Sequence, residues 1–217
     1  MSITTRFKDI VHGLDNYTFH ILGCGAIGSS TAIQLARMGV TDFCLYDMDY
    51  VSEENVGVSH YIISDIGKNK VDALKNHILN VNDMANVTSY HGMFDSFNYR
   101  GNNDVAILGF DSMGSRLDAV KIMCSNPKTT PLFIIDGRMG AEQYQQYFFN
   151  KPTLSSYEKK WYPDSEGDPE PCTSKATSYC SNMSGSFIVN AVKKFVMGER
   201  ITKELVFSFP AMLMKNK

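Results

Sequence analysis

Phe19-His20-Ile21-Leu22-Gly23-Cys24-Gly25-Ala26-Ile27-Gly28 is the stretch that decides the fold. A short apolar run leads into three glycines spaced G-x-G-x-x-G, at the point where a strand must turn sharply into a helix. Without side chains at Gly23 and Gly25 the backbone can approach a phosphate. Gly28 lets the helix pack on the sheet, and the free N–H groups of the helix start attract anions. Gly23, Gly25 and Gly28 are therefore candidate nucleotide-binding residues. The helix is expected over about 27–38, with Ile27, Ala32, Ile33, Leu35 and Ala36 toward the sheet and Ser29, Ser30, Gln34 and Arg37 on a polar face. Gly39 suits the left-handed stop.

A glycine turn is shared by many nucleotide-binding proteins, and the residues after it discriminate among them. Phe43-Cys44-Leu45-Tyr46 reads as the second strand and ends in Asp47-Met48-Asp49-Tyr50-Val51, followed by Asn55. An acid at the end of this strand can hold ribose hydroxyls, the role expected of Asp47. Hydride transfer needs little more there. This chain adds Asp49, Asn55 and then Gly67-Lys68-Asn69-Lys70 at the start of a further helix. A cation in the first turn opposes the helix dipole unless an anion sits nearby, so Lys70 is a candidate phosphate ligand. Amides and positive charge collected around phosphates suit reaction at phosphorus.

Further along, 71–82 has helical periodicity, and Val87 to His91 reads as a third strand. Val105-Ala106-Ile107-Leu108-Gly109-Phe110 is almost wholly apolar, as a buried parallel strand should be, and delivers Asp111 to the carboxyl edge where ligands of open parallel sheets lie. Asp111 there faces the nucleotide crevice, and either it or Ser112 could instead cap the helix expected over 115–124. A strand over 131–136 is followed by Gly137-Arg138-Met139-Gly140, read as a turn with Arg138 at its tip, and by a strand ending near Phe149. Residues 150–182, rich in proline and acidic side chains, form an expected long loop, functional or disordered, that Trp161 is placed to anchor. A helix over 181–197, with Phe187 and Phe195 in the core, and a strand over 204–209 complete the pattern. A short helix over 2–12, carrying Arg6, precedes it, and nothing after Pro210 reads as chemistry.

The 217 residues, 43% hydrophobic and 20% charged, suffice for one domain with a sizeable core. A formal charge of −2 without blocks of like charge argues against a nucleic-acid partner. No long apolar run suggests a membrane span or signal peptide, so a cytoplasmic location is expected. Five irregularly spaced cysteines do not form a disulfide framework, and no C-x-x-C pair is present to hold a structural zinc. Cys24, Cys172 and Cys180 lie where a covalent relay would need a thiol, although free cysteine is more often a small buried hydrophobe.

Taken together, GCGAIGS, DMDYVSEEN and DIGKNK resemble the ThiF and MoeB adenylyltransferases of the ubiquitin-activating-enzyme superfamily, over roughly 6–214. The resemblance implies an α/β fold: a Rossmann-like, mainly parallel sheet with helices on both faces and antiparallel strands at the C-terminal edge. It implies one domain over 1–217 with a crossover loop at 150–182. It also implies ATP- and Mg2+-dependent adenylation of a carboxylate, the C-terminal glycine of a ubiquitin-like or sulfur-carrier protein or a peptide C-terminus. By this resemblance Asp111 would bind magnesium, Asn55 and Lys70 the phosphates and Asp47 the ribose, in a homodimer to which Arg6 would contribute across the subunits. The arginine usual three residues after the asparagine is Val58 here. Arg138 either replaces that charge or forms an ion pair with Asp136 or Glu142. A NAD-binding oxidoreductase and a non-catalytic nucleotide-binding scaffold remain the competing readings.

Overall fold

The computed structural model describes residues 3–166 and 176–216. These form one eight-stranded sheet in the order β3-β2-β1-β4-β5-β6-β7-β8. The parallel part comprises β1 (Thr18–Leu22), β2 (Asp42–Asp47), β3 (Asn86–His91), β4 (Asp104–Leu108) and β5 (Phe133–Gly140). The antiparallel edge is built from β6 (Gln143–Asn150), β7 (Glu204–Ser208) and β8 (Leu213–Asn216). The α/β class and the antiparallel C-terminal edge are as the sequence led us to expect.

Strand periodicity divides the core into two layers. Phe19, Ile21, Phe43, Leu45, Val105 and Ile107 join one cluster with residues of α1 (Ala26–Arg37), α3 (Lys70–Val81) and α6 (Ser178–Val196). Their alternates Leu22, Cys44, Tyr46, Ala106 and Leu108 join the other, with residues of α4 (Met113–Met123) and α5 (Leu154–Glu158). Every residue of β4 is buried, because helices cover both faces of the central strands.

Several local expectations need correction. Gly137 and Gly140 do not bracket a turn: β5 runs through both, and the hairpin falls after them, with Ala141 at a φ of 50°. Gly137 is needed for space, since a Cβ there would lie 3.1 Å from the Tyr144 hydroxyl and 3.2 Å from Ile27 and Ile188. Residues 3–10 form successive turns and not a helix, and Ile10 is 62% exposed. A start rich in β-branched Ile3, Thr4 and Thr5 has little intrinsic reason to propagate one. β8 was not anticipated, and neither was the short α2 (Glu53–Val58). All four residues of β8 are exposed, so no apolar alternation marks it.

The polar face assigned to α1 is also half wrong, because Ser29 and Ser30 are fully buried. α6 lies against them. A Cβ on Gly185 would come within 2.4 Å of Ser30 Oγ, Ser181 Oγ donates to the Ala26 carbonyl at 2.8 Å, and Gln34 Nε2 donates to the Asn182 carbonyl at 3.0 Å. Small residues permit this close approach, and the hydroxyls that would otherwise be stranded have partners.

Candidate active site

A cavity of about 270 Å3 opens at the carboxyl ends of β1, β2 and β4. Its floor is the glycine turn. Gly23 has a φ of 93° and lies so close to β4 that a Cβ would meet the Gly109 carbonyl carbon at 2.6 Å. A Cβ on Gly28 would come within 1.8 Å of the Gly23 carbonyl oxygen, whereas one on Gly25 would meet nothing within 4 Å. Gly23 and Gly28 therefore form the turn, and Gly25 leaves the space beside the start of α1 clear. The Tyr61 hydroxyl ties the turn to α3, donating to the Cys24 carbonyl at 2.6 Å, with the Lys70 carbonyl at 3.2 Å.

Asp47 ends β2 with its carboxylate buried at the cavity wall. One oxygen accepts the Cys24 N–H at 2.7 Å and the other accepts the Asp49 N–H at 2.9 Å. Burial raises its pKa, opposed by the Lys70 charge and these two N–H groups. Each oxygen keeps a lone pair for a ligand hydroxyl. Lys70 Nζ lies 2.8 Å from Asp49 Oδ2, and both residues line the cavity. Lys68 is directed elsewhere, to the buried Asp65 at 3.0 Å. Asp65 also accepts from His77 at 2.5 Å and from the Ile62 N–H at 3.1 Å, which pins the loop before α3. Sequence reading passed over Asp65; an acid three residues before Lys68 was the available signal.

Asn55, expected at the phosphates, is not brought to the cavity wall. It sits in α2, where its Oδ1 accepts the Ser52 N–H at 3.0 Å as half of a capping box. Arg138 does not line the nucleotide-sized cavity either. On β5 it shares a face with Asp136, to which Nε and Nη2 donate at 2.9 and 2.7 Å, while Nη1 donates to the Lys160 carbonyl at 2.9 Å. Tyr147 and Tyr162 flank its guanidinium at 4.4 and 5.0 Å. Of the alternatives left open for Arg138, the ion pair with Asp136 is the one formed. Asp136 is fully buried and also accepts from Arg116 of α4 and, at 3.0 Å, from the Tyr157 hydroxyl of α5.

Arg116 and Arg138 line a second cavity of about 270 Å3, together with Gln143, Gln145, Tyr162 and Asp164. Asp111 lines both cavities. Ser112 caps α4 by accepting the Ser115 N–H at 3.0 Å, so Asp111 is not needed as the cap. The exposed Asp111 carboxylate makes no hydrogen bond or ion pair with a described residue. The loop after β6 is fastened beside it: Trp161 Nε1 donates to the Met113 carbonyl at 2.7 Å, and Asp164 accepts the Met113 N–H at 2.9 Å.

Among the described residues no group of three or more His, Cys, Asp or Glu side chains is arranged to hold a metal ion. Cys24 and Cys180 are buried. Burial, with Asp47 adding to it, pushes the Cys24 thiol well up; burial, then Glu142, pushes the Cys180 thiol to about 11. Cys172 lies outside the described residues. No helix among the described residues is long and apolar enough to cross a membrane.

The chain is 38% identical over 81 residues to the tRNA threonylcarbamoyladenosine dehydratase of Bacillus subtilis, a match covering 37% of this chain and 32% of that protein. It is 31% identical over 99 residues to a probable molybdopterin-synthase adenylyltransferase of Porphyra purpurea, covering 44% of this chain and 26% of that one. These matches thus span about a third or less of the curated relatives' length. The fold superposes on Escherichia coli MccB solved with ATP, with a TM-score of 0.73 at 17% identity, covering 94% of this chain and 63% of MccB. It also superposes on PaaA, with a TM-score of 0.70 at 17% identity, covering 94% of this chain and 64% of PaaA. The ThiF family matches residues 5–214. The chain belongs to the ThiF family.

Proposed function

We propose that this protein adenylates a carboxylate, using ATP. The observation that carries the reading is Asp111, an uncommitted carboxylate at the junction of two cavities. One is built like a nucleotide site and the other is polar and large enough for the end of a peptide. MccB, which shares the fold, has been solved both with ATP and with the peptide MccA, which supports a nucleotide and a peptide meeting in such a scaffold.

In this reading the glycine turn receives the phosphates, Asp47 the ribose hydroxyls and Lys70 phosphate charge. Lys70 would exchange some of its attraction to Asp49 for the ligand. An acceptor carboxylate oxygen bonds to the α-phosphorus, the bond to the oxygen bridging to the β-phosphorus breaks, and its electron pair departs with pyrophosphate. No proton is transferred. The protein therefore contributes alignment and charge, not acid–base chemistry. A magnesium ion on the phosphates would lower their charge and needs only one or two protein carboxylates, a demand that Asp111 fits.

The acceptor we propose is the C-terminus of a ubiquitin-like or sulfur-carrier protein or of a peptide, and the active form a homodimer, as in the enzymes it resembles. The unpaired state of the described cysteines is in keeping with a cytoplasmic setting. Acceptor-dependent exchange of labelled pyrophosphate into ATP is the test. Asp111→Ala should abolish the exchange without altering the thermal midpoint, because the side chain is exposed. NAD(H) binding without ATP binding would overturn the reading, as would full exchange by Asp111→Ala. A sedimentation profile showing only monomer would remove the homodimer.

A further inference from the structure

The cavity has a mixed lining. Asp47, Asp49 and Lys70 are its polar groups near the glycine turn, and Met93, Phe94 and Phe110 are apolar. The Phe94 and Phe110 rings stand 6.5 Å apart, and Phe94 packs edge-on at 5.0 Å against Tyr46. A flat heterocycle suits these side chains, since aromatic and thioether groups give it contact area without direction. Direction must then come from polar groups, and α4 supplies two side chains to the cavity wall, Ser115 and Asp118, one helical turn apart. The backbone N–H groups of two lining glycines are already used, Gly92 donating to the Asp47 carbonyl at 3.1 Å and Gly109 to the Leu22 carbonyl at 2.7 Å.

The two side chains differ in what they can read. Ser115 Oγ lies 2.8 Å from Ser112 Oγ. A hydroxyl can donate or accept, so Ser115 tolerates any base edge. An ionised carboxylate only accepts. Asp118 Oδ1 takes Lys121 Nζ at 2.9 Å, and no described residue engages its other oxygen.

From this arrangement, and on the reading above that the cavity binds a nucleotide, we infer that Asp118 is the base-selecting residue of the site. It accepts a hydrogen bond from the exocyclic amine of adenine, while the Ser115 hydroxyl is free to donate to the neighbouring ring nitrogen. The pair Asp118–Lys121 is a surface ion pair in the absence of ligand, with side chains 69% and 50% exposed, so little stability is tied up in keeping it.

Calorimetric titration of the whole chain with AMP, GMP and the monophosphate of unsubstituted purine riboside tests this without an acceptor or turnover. AMP should bind roughly tenfold or more tightly than the amine-free analogue, the scale of one charge-assisted hydrogen bond. Asp118→Ala should reduce that ratio to about one, and Asp118→Asn, whose carboxamide retains an acceptor oxygen, should restore part of it. Equal affinity of the wild type for AMP and the analogue, an unchanged ratio in Asp118→Ala, or tightest binding of GMP would each overturn the inference while leaving a nucleotide site in place. Failure of all three nucleotides to bind would remove the nucleotide reading as well.

Discussion

Replacing Asp136 by asparagine keeps the shape of the side chain and removes a carboxylate bonded to two buried arginines. In the wild type, burial works against the Arg138 charge. The Asp136 charge and its hydrogen bonds outweigh that and hold the Arg138 pKa above its ordinary value. Asparagine would present one NH2 group to a ring of donors from Arg116, Arg138 and Tyr157. Because Asp136 is fully buried, and Arg116 and Arg138 are 4% and 5% exposed, solvent screening gives little relief. Removing one partner of such a pair costs roughly 3–5 kcal/mol. At about 2–4 °C per kcal/mol for a chain of this size, the midpoint should fall by roughly 6–20 °C. Urea and thermal unfolding of the two proteins, followed by circular dichroism, give the difference directly. A loss below about 1 kcal/mol, the scale of an exposed ion pair, would refute the claim that this cluster holds α4, α5 and β5 together.

Lys70→Ala should weaken ATP far more than adenosine in equilibrium binding, and equal losses would make the lysine a structural partner of Asp49. Gly28→Ala and Gly25→Ala should separate architecture from binding. The first forces a 1.8 Å contact with the Gly23 carbonyl and should yield insoluble or unfolded protein; the second meets no atom within 4 Å and should fold while losing ATP affinity. A well-folded Gly28→Ala that binds ATP normally would contradict the geometry of the turn. Because burial raises the Cys180 thiol to about 11, its thiolate fraction at neutral pH is smaller than that of an ordinary cysteine. Iodoacetamide labelling of the native protein, read by mass spectrometry, should spare Cys180 and Cys24 near pH 7 and reach Cys180 only as pH approaches its pKa. Rapid labelling of either at pH 7 would contradict their burial.

The central strands were legible because β1, β2 and β4 are mostly apolar runs and each delivers a polar residue or a glycine to one edge. Gly23, Asp47 and Asp111 could be placed from that regularity alone. Asn55 was placed less well: it also stands three residues after Ser52, the spacing of a capping box, and a one-dimensional pattern does not distinguish the two roles. Arg138 failed through its neighbours, since two flanking glycines look like a turn unless one knows that Ile27 and Ile188 crowd Gly137 from other elements. Asp118 drew no attention because its chemistry depends on which face of α4 meets the cavity, and the phase of a helix with charged residues on several sides is poorly marked. Ser29 and Ser30 looked solvated because serine usually is, and neither the approach of α6 to Ser30 nor the His60 N–H on Ser29 Oγ at 3.1 Å is marked locally.

The approach of α6 has a temporal side. The helix carrying the phosphate turn is translated well before the segment that packs on it, in which Ser181 bonds to Ala26 and Gly185 admits Ser30. Until α6 has left the ribosome, the side of α1 that it covers faces water and Ala26 lacks its bond from Ser181. A nascent chain stalled before α6 would thus have every residue of the glycine turn but not the packing that completes α1. Completing the packing of the helix behind the turn therefore waits for a segment 155 residues further along the chain to fold back onto it.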